Sequence, residues 1–569
     1  MTPVKTHCLI LLFVTSVNLV FAAVDFPQCF AEIRNGTRWT AGGTDSHGNP
    51  VANITNATAI TYQLCVQACG TGSGALSWSS FSQQFSAWLL PWFALLSQLP
   101  FGSKYKWDNL MSVVLALGSP CLAAYSLALT VLNTKWVTRR FANARYPNSR
   151  HAAFILCCLQ QTALRVTTEG GRLASLIVLP ENDPWWEELA EWLDHADTHT
   201  WTLSGVSSVA WVAIAYALTI IDAFSTIATD PNRGLSGVGS IWLWMLPVTI
   251  GYLQISPRCD AERVATALGR ANSISYVAGS NGMINAAAVG EMRALSVHLH
   301  RGSLHHDQEA TAPIYNYSRF LPFAQVVEEI ATAFHCATEK GNRRVPVNSA
   351  VRWEVGEGGS THTASRRGSA AQIEEYCRAP PFVRRSHWGQ GVFSRFFVAS
   401  LAALVLQWST SGASLMIVYF TPTVGLGCRS GAYLLYSVVA TMIWAILVTS
   451  SILSHYATAY PKFSKPELAH RTAAQLAIFL RRLAKLLATL NAAWIIAAFM
   501  LQFANFFDSC YCNSVVLGLG TRARVNMVLD SSDIAAMKGV WVGGIVLAVV
   551  VSSFWWTFIN VLMDPFPGL

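Results

Sequence analysis

The sequence is short of charge. Asp, Glu, Lys and Arg together make up 12% of its 569 residues, about half of the ~25% usual in soluble globular chains. That shortage argues against a set of water-facing domains. Chemistry is equally scarce. The apolar runs hold no paired Asp residues, no His-rich box and no Ser–His arrangement at a common depth, which a membrane-embedded enzyme would need. No nucleotide loop or zinc spacing stands out among the glycines and cysteines. No internal repeat relates two halves of the chain. These absences point away from an enzyme and leave no cofactor or metal to assign.

What is abundant fits a bilayer. Hydrophobic residues reach 52%, and the 21 tryptophans suit the aromatic belts found at headgroup level. The net charge of +8 does not indicate a nucleic-acid partner, because the basic residues cluster beside the apolar runs. The expected partner is the lipid bilayer. Lys5 followed by the apolar stretch Cys8–Val20 and by Val20-Phe21-Ala22 reads as a secretory signal peptide, residues 1–22, cut after Ala22.

Residues 23–84 are rich in Gly, Thr, Asn and Ser and carry three glycan acceptor triplets at Asn35, Asn53 and Asn56. Three triplets directly after a signal predict a small glycosylated ectodomain. Seven runs then have the length and polarity of spanning helices: Asn109–Leu132, Leu203–Asp222, Ser240–Ile255, Phe396–Phe420, Ala432–His455, Leu486–Phe507 and Val540–Leu562. An eighth stretch, Phe85–Phe101, is interrupted by Pro91, Ser97, Gln98 and Pro100. Residues 85–108 are therefore expected as an interfacial or re-entrant segment. The expected fold is an all-α membrane protein of about seven transmembrane helices. It has a cytosolic helical loop at 133–202, a long cytosolic loop at 256–394 and a final helical block at 395–569.

Charge sets the orientation. With the amino terminus outside, Lys135, Arg139, Arg140 and Arg145, the long central loop, and the segment from Lys462 to Lys485 all fall in the cytosol. The outer connectors are poor in base, the positive-inside pattern. Counting Phe85–Phe101 as an additional span would invert every basic loop. The same orientation places Cys29, Cys65, Cys69, Cys428, Cys510 and Cys512 outside, an even set suited to disulfides, with fifteen connectivities open. Cys121, Cys157, Cys158, Cys259, Cys336 and Cys377 fall inside or within spans, where thiols stay reduced. The expected location is the plasma membrane or a secretory-pathway endomembrane.

A few residues draw functional attention. Asp222 is the only acidic residue in an expected span, and an intramembrane carboxylate is a functional candidate by default. Its place at the outer helix end, near Asp230 and Asn232, fits an interfacial carboxylate better. Asp183 to Leu193 reads as an amphipathic helix with Asp183 as N-cap, Pro184 at the first helical position and Trp185, Leu189 and Trp192 on one face. His298, His300, His305 and His306 cluster without metal-site spacing. Residues 340–390, rich in Gly, Ser, Thr and Arg, suit disorder. Within them Arg366-Arg367-Gly368-Ser369 matches a basophilic-kinase pattern, making Ser369 a phosphorylation candidate.

The stretch Gln84–Gly102, the run Leu179–Glu187 with its Pro-Glu-Asn-Asp-Pro-Trp-Trp core, and Trp244-Met245-Leu246-Pro247 with Gln254–Pro257 resemble an uncharacterised family of multi-pass membrane proteins from filamentous fungi. The resemblance covers roughly Phe85 to Ala278 well and the later spans more loosely. It implies an architecture and no activity or site residue. The expected function is a sensor, receptor-like or scaffold protein, with a cytosolic partner on the 256–394 loop. The alternative is a transporter or channel for a small solute, favoured if Asp222 faces Gln407, Asn491 or Gln502 around a cavity. One further triplet, at Asn316, lies on an expected cytosolic loop. Glycopeptide mapping is predicted to find sugar on Asn35, Asn53 and Asn56 and none on Asn316; sugar on Asn316 would refute the orientation.

Overall fold

The computed structural model describes residues 23–36, 38–99, 105–194, 202–226, 239–255, 260–279, 282–286, 293–297, 304–354, 361–379, 388–459 and 467–563. The expected signal segment, Asp230, Asn232, Cys259, His298 and His300 lie outside these residues. Helix dominates. Five helices are long and apolar enough to cross a membrane: Leu203–Ser225, Val392–Phe420, Cys428–Thr458, Leu468–Phe503 and Ser531–Met563. The second of the expected spans and the last four thus coincide with long apolar helices. The third falls on the shorter apolar helix Gly239–Ile255, whose regular α-helical part, Met245–Ile255, has 11 residues.

The first expected span, Asn109–Leu132, falls on a sharply bent helix pair, a broken span or a re-entrant loop. Lys106–Gly118 and Pro120–Phe141 are separate helices meeting at 108°. Pro120 cannot donate to the preceding turn and starts a new helix, and the Ser119 hydroxyl caps it by accepting from the Leu122 amide. The freed backbone groups are bonded by side chains from three other helices, as an apolar interior demands. The Tyr436 hydroxyl donates to the Leu117 carbonyl at 2.8 Å, and the Asn491 amide donates to the Gly118 carbonyl at 2.8 Å. Gln407 Oε1 accepts from the Cys121 amide at 2.9 Å. The Ser119 hydroxyl donates to the Ala440 carbonyl at 2.7 Å.

Close approach makes this possible. The helices Cys428–Ala459 and Glu467–Phe503 pack along their length, with buried Ala477, Ala484, Ala488 and Ala492 on the second forming a seam of small residues. Gly118 lies on that seam, and a Cβ there would overlap the Ala488 carbonyl and sit 2.9 Å from Ala488 Cα.

Trp78–Gln84, the π turn Phe85–Leu89 and Leu90–Leu96 follow one another without a break. Pro91 has no amide hydrogen, and the turn before it widens to accommodate the missing bond. The run begins where Phe81 meets Phe503, passes Trp88 against Gly239, and ends with Gln98 beside Gly205, which in turn packs on Leu253. Next to Leu253, the Gln254 amide reaches Asn560 at 2.8 Å, near the far end of Ser531–Met563. The segment therefore runs alongside the bundle from Phe503 toward Gly205, where the sequence suggested an interfacial or re-entrant segment.

Two folded units close the bundle. At one end, the cap, strand Ala59–Thr61 pairs antiparallel with Gly43–Thr44 and with Arg524–Asn526 from the connector after Phe503. Phe26, Ile33, Ile54, Ile60, Leu64 and Val525 fill its core. At the other end, the base, residues from 137–194 and from 264–377 share one core around Trp185, Trp186 and Phe334. Strand Leu164–Val166 pairs with Leu295–Val297, so the two loops read separately in the sequence build a single unit. Described residues between 340 and 377 belong to it, including the helix Ala370–Cys377 with buried Ile373 and Tyr376, within the region where the sequence suggested partial disorder.

Gly118→Ala is predicted to destabilise the protein by about 1–3 kcal/mol, the usual cost of overpacking, measured as a lowered unfolding midpoint in detergent. Gly539→Ala, in open space on the last helix, is the matched control and should be neutral.

Candidate functional site

Of the candidates, Asp222 does not face a cavity with Gln407, Asn491 and Gln502. It lies on an exposed flank of Leu203–Thr226. Gln407 also donates to the Ser437 carbonyl and the Thr441 hydroxyl, both at 2.9 Å. Gln502 accepts from the Tyr433 hydroxyl at 2.5 Å. These amides serve separate helix contacts.

Ser369 is the N-cap of Ala370–Cys377 within a capping box completed by Gln372. Its upstream arginines are occupied. Arg366 is buried and grips both Asp183 carboxylate oxygens at 2.6 and 2.7 Å, and it also donates to the Val178 carbonyl at 2.9 Å. Arg367 reaches Glu181 at 2.5 Å. Asp183 is thus inside the helix Asp183–Asp194 as an ion-pair partner, where the sequence suggested an N-cap. The buried face of that helix is Trp185, Trp186, Leu189 and Leu193, while Trp192 is outside beneath the Arg270 guanidinium. Trp185 and Leu189 are buried as the periodicity predicts; Trp186 takes the place expected for Trp192, donating to the Leu176 carbonyl at 3.0 Å.

The six cysteines expected outside come together as three disulfides: Cys29–Cys69, Cys65–Cys510 and Cys428–Cys512. Two of them tie the amino-terminal unit, directly and through the Cys510–Asn513 turn, to the connectors after Phe420 and Phe503. The only metal-compatible group among the described residues, Cys65, Cys69 and Cys510, consists of sulfurs already used in these bonds. His305 hydrogen-bonds Gln308 at 3.0 Å, and His306 belongs to a different cluster.

That cluster lies at the junction of bundle and base. Asp307 is fully buried, and its carboxylate meets Lys485 at 2.5 Å and His306 at 3.5 Å and accepts from the Tyr317 hydroxyl. His306 also lies 3.9 Å from Asp108, and Arg481 donates to the Leu304 carbonyl at 2.8 Å. Beside it, buried Arg319 donates to the Ala310 and Ala312 carbonyls and to Asn316. Asn316 in turn donates to Thr130, so its amide nitrogen is engaged in the interior. In the sequence Lys485 and Arg481 belong to the basic segment ending at Lys485; only the fold brings Asp307, 178 residues from Lys485 in the chain, beneath them.

Burial opposes ionisation of Asp307, but Lys485, the His306 hydrogen bond and Arg481 outweigh it and hold the carboxyl well below the usual carboxylate range. The hydrogen bond to Asp307 raises His306 above 6.5, against burial and Lys485 and with help from Asp307 and Asp108 charge. Chemically the cluster is a charge-paired junction in which His306 is held more basic than a free imidazole. Comparison with protein-family models, curated proteins and solved structures finds no match. The class is defined by the fold alone: a predominantly helical protein with several helices able to cross a membrane.

A raised histidine stabilises below its unfolded value and ceases to do so as pH rises through its folded value. Thermal unfolding between about pH 5 and pH 9 is therefore predicted to show stability lost upward from 6.5, with that slope absent in His306→Gln. Asp307, being depressed, keeps its contribution across this range and loses it only as pH falls through its lowered value. Coincident profiles for the two proteins would remove His306 from the account.

Proposed function

We propose that the chain is a seven-crossing membrane protein that acts as a sensor, receptor-like protein or scaffold, with the cap outside and the base in the cytosol. The observation that carries this reading is continuity. The helices Cys428–Thr458 and Leu468–Phe503, of 31 and 36 residues, rise roughly 46 and 54 Å. That exceeds the ~30 Å of hydrocarbon, so each runs from the disulfide-tied cap into contact with the base. A change at the cap has a stiff route to the other side.

The crossings are assigned differently from the sequence reading. Trp78–Leu99 makes the first, and the broken pair Lys106–Phe141 enters from the base face, turns at Ser119 and returns. Leu203–Thr226, Gly239–Ile255 and the last four long helices complete seven. This exchange keeps the basic loops in the cytosol, which adding an eighth crossing would not. Cysteine pairing on the cap side fits an oxidising compartment.

One observation favours a transporter: helices broken at mid-depth build substrate sites in many carriers. Here the break is already capped by Tyr436, Asn491 and Gln407, which weighs against it. Proteoliposomes loaded with small ions, sugars and amino acids are expected to show no flux above protein-free vesicles. Flux abolished by Gln407→Ala would transfer the assignment to a carrier. For the crossings, a glycan acceptor triplet inserted after Leu99 is expected to stay bare, and glycosylation there would restore Phe85–Phe101 as an interfacial or re-entrant segment.

A further inference from the structure

Two hollows adjoin along the base-side end of the Cys428–Ala459 helix. The first is apolar, about 80 Å³, between Tyr125, Phe320, Phe396, Val448 and Ile452. The second is polar, about 440 Å³, and is lined by Arg165, Arg319, His305, His455, Thr458 and Glu309. Trp388 lines the apolar hollow, and its ring lies 5.6 Å from that of His455, so the two share a wall.

Their order along the helix matches a lipid leaflet. Val448, Ile452, His455 and Thr458 recur at helical spacing on one face. Val448 lies about 30 Å from the helix start at Cys428, one hydrocarbon thickness away. His455 is about 10 Å farther from the cap, at headgroup depth. Phe393, Phe397 and Leu401, all exposed on Val392–Phe420, continue the apolar surface from the first hollow toward the bilayer centre.

The polar cleft also has the charge for an anion. Arg165 and Arg319 stand against Glu309, and His305 and His455 add positive charge when protonated. Arg319 is fixed in advance by the Ala310 and Ala312 carbonyls and by Asn316, whereas Arg165 is exposed on its strand. We propose that the two hollows form one site for an anionic phospholipid of the base-side leaflet. Its phosphate sits in the cleft beside Arg165 and the imidazoles, and the start of an acyl chain lies against Phe396 and Ile452. Basic pockets at helix ends on the inner face of membranes bind such headgroups. The proposal rests on the helices being embedded in a membrane, not on which compartment the base faces.

The test uses the full-length protein in nonionic detergent, titrated with dioleoyl phosphatidic acid or dioleoyl phosphatidylcholine and read by native mass spectrometry. The expected result is retained phosphatidic acid in preference to the zwitterionic lipid. Arg165→Gln should weaken it about fivefold, the effect of one basic residue at an anionic surface, without moving the lipid-free melting temperature. Ile452→Trp, which fills the apolar hollow, should weaken it as well. Equal retention of both lipids, or binding unchanged in Arg165→Gln, would overturn the proposal. Displacement by equimolar inorganic phosphate would also overturn it, by showing a free-anion site. Since the titration needs no oriented membrane, its failure is separable from failure of the topology.

Discussion

A peptide group released from a helix inside hydrocarbon must find a partner in the protein or lose several kcal/mol. The break at Gly118–Pro120 releases several such groups at once, and the arrangement of the bundle follows from satisfying them. Gln407, Tyr436 and Asn491 come from three different long helices and converge there. The helix that carries Asn491 approaches so closely at Ala488 that no room is left for a side chain at Gly118. A polar residue in an apolar span often signals transport; these three are needed by the backbone.

The interactions are layered by depth, and each layer uses the bond its surroundings favour. Neutral hydrogen bonds hold the middle, where a charge is most costly. Ion pairs appear at the base edge, where Asp307 is paired with Lys485 and His306, and within the base, where Arg366 grips Asp183. A buried pair of this kind contributes mainly by penalising its loss, since removal of one partner strands the other charge. Disulfides hold the cap, whose small core of Phe26, Ile33, Ile60 and their neighbours is of the size that benefits from covalent staples. The two ends are thus stiff by different chemistry, joined by helices longer than the bilayer is thick.

Several residues that looked functional in isolation have structural tasks. Ser369 begins a helix, Arg366 anchors the base, and Asn316 bonds within the interior. The residues at the two adjoining hollows had drawn no attention along the chain, apart from His305, because Arg165, His455 and Phe396 come from segments far apart.

What the sequence determined was composition-driven: helices long and apolar enough for a membrane, an amino-terminal segment rich in acceptor sites, and a set of six cysteines that share one end. Hydrophobic run length and local residue type suffice for these, since each depends on neighbours within a turn or a short stretch. Tertiary structure decided the rest. Pro91 and Pro120 look alike on the page as interruptions of apolar runs. The first is absorbed by a π turn in a helix that continues, and the second starts a new helix at 108° to the old. The difference lies in partners from distant helices that bond the groups freed at Ser119. The pairing of Asp307 with Lys485 and of Cys65 with Cys510 likewise joins positions 178 and 445 residues apart, and no local pattern encodes such a contact.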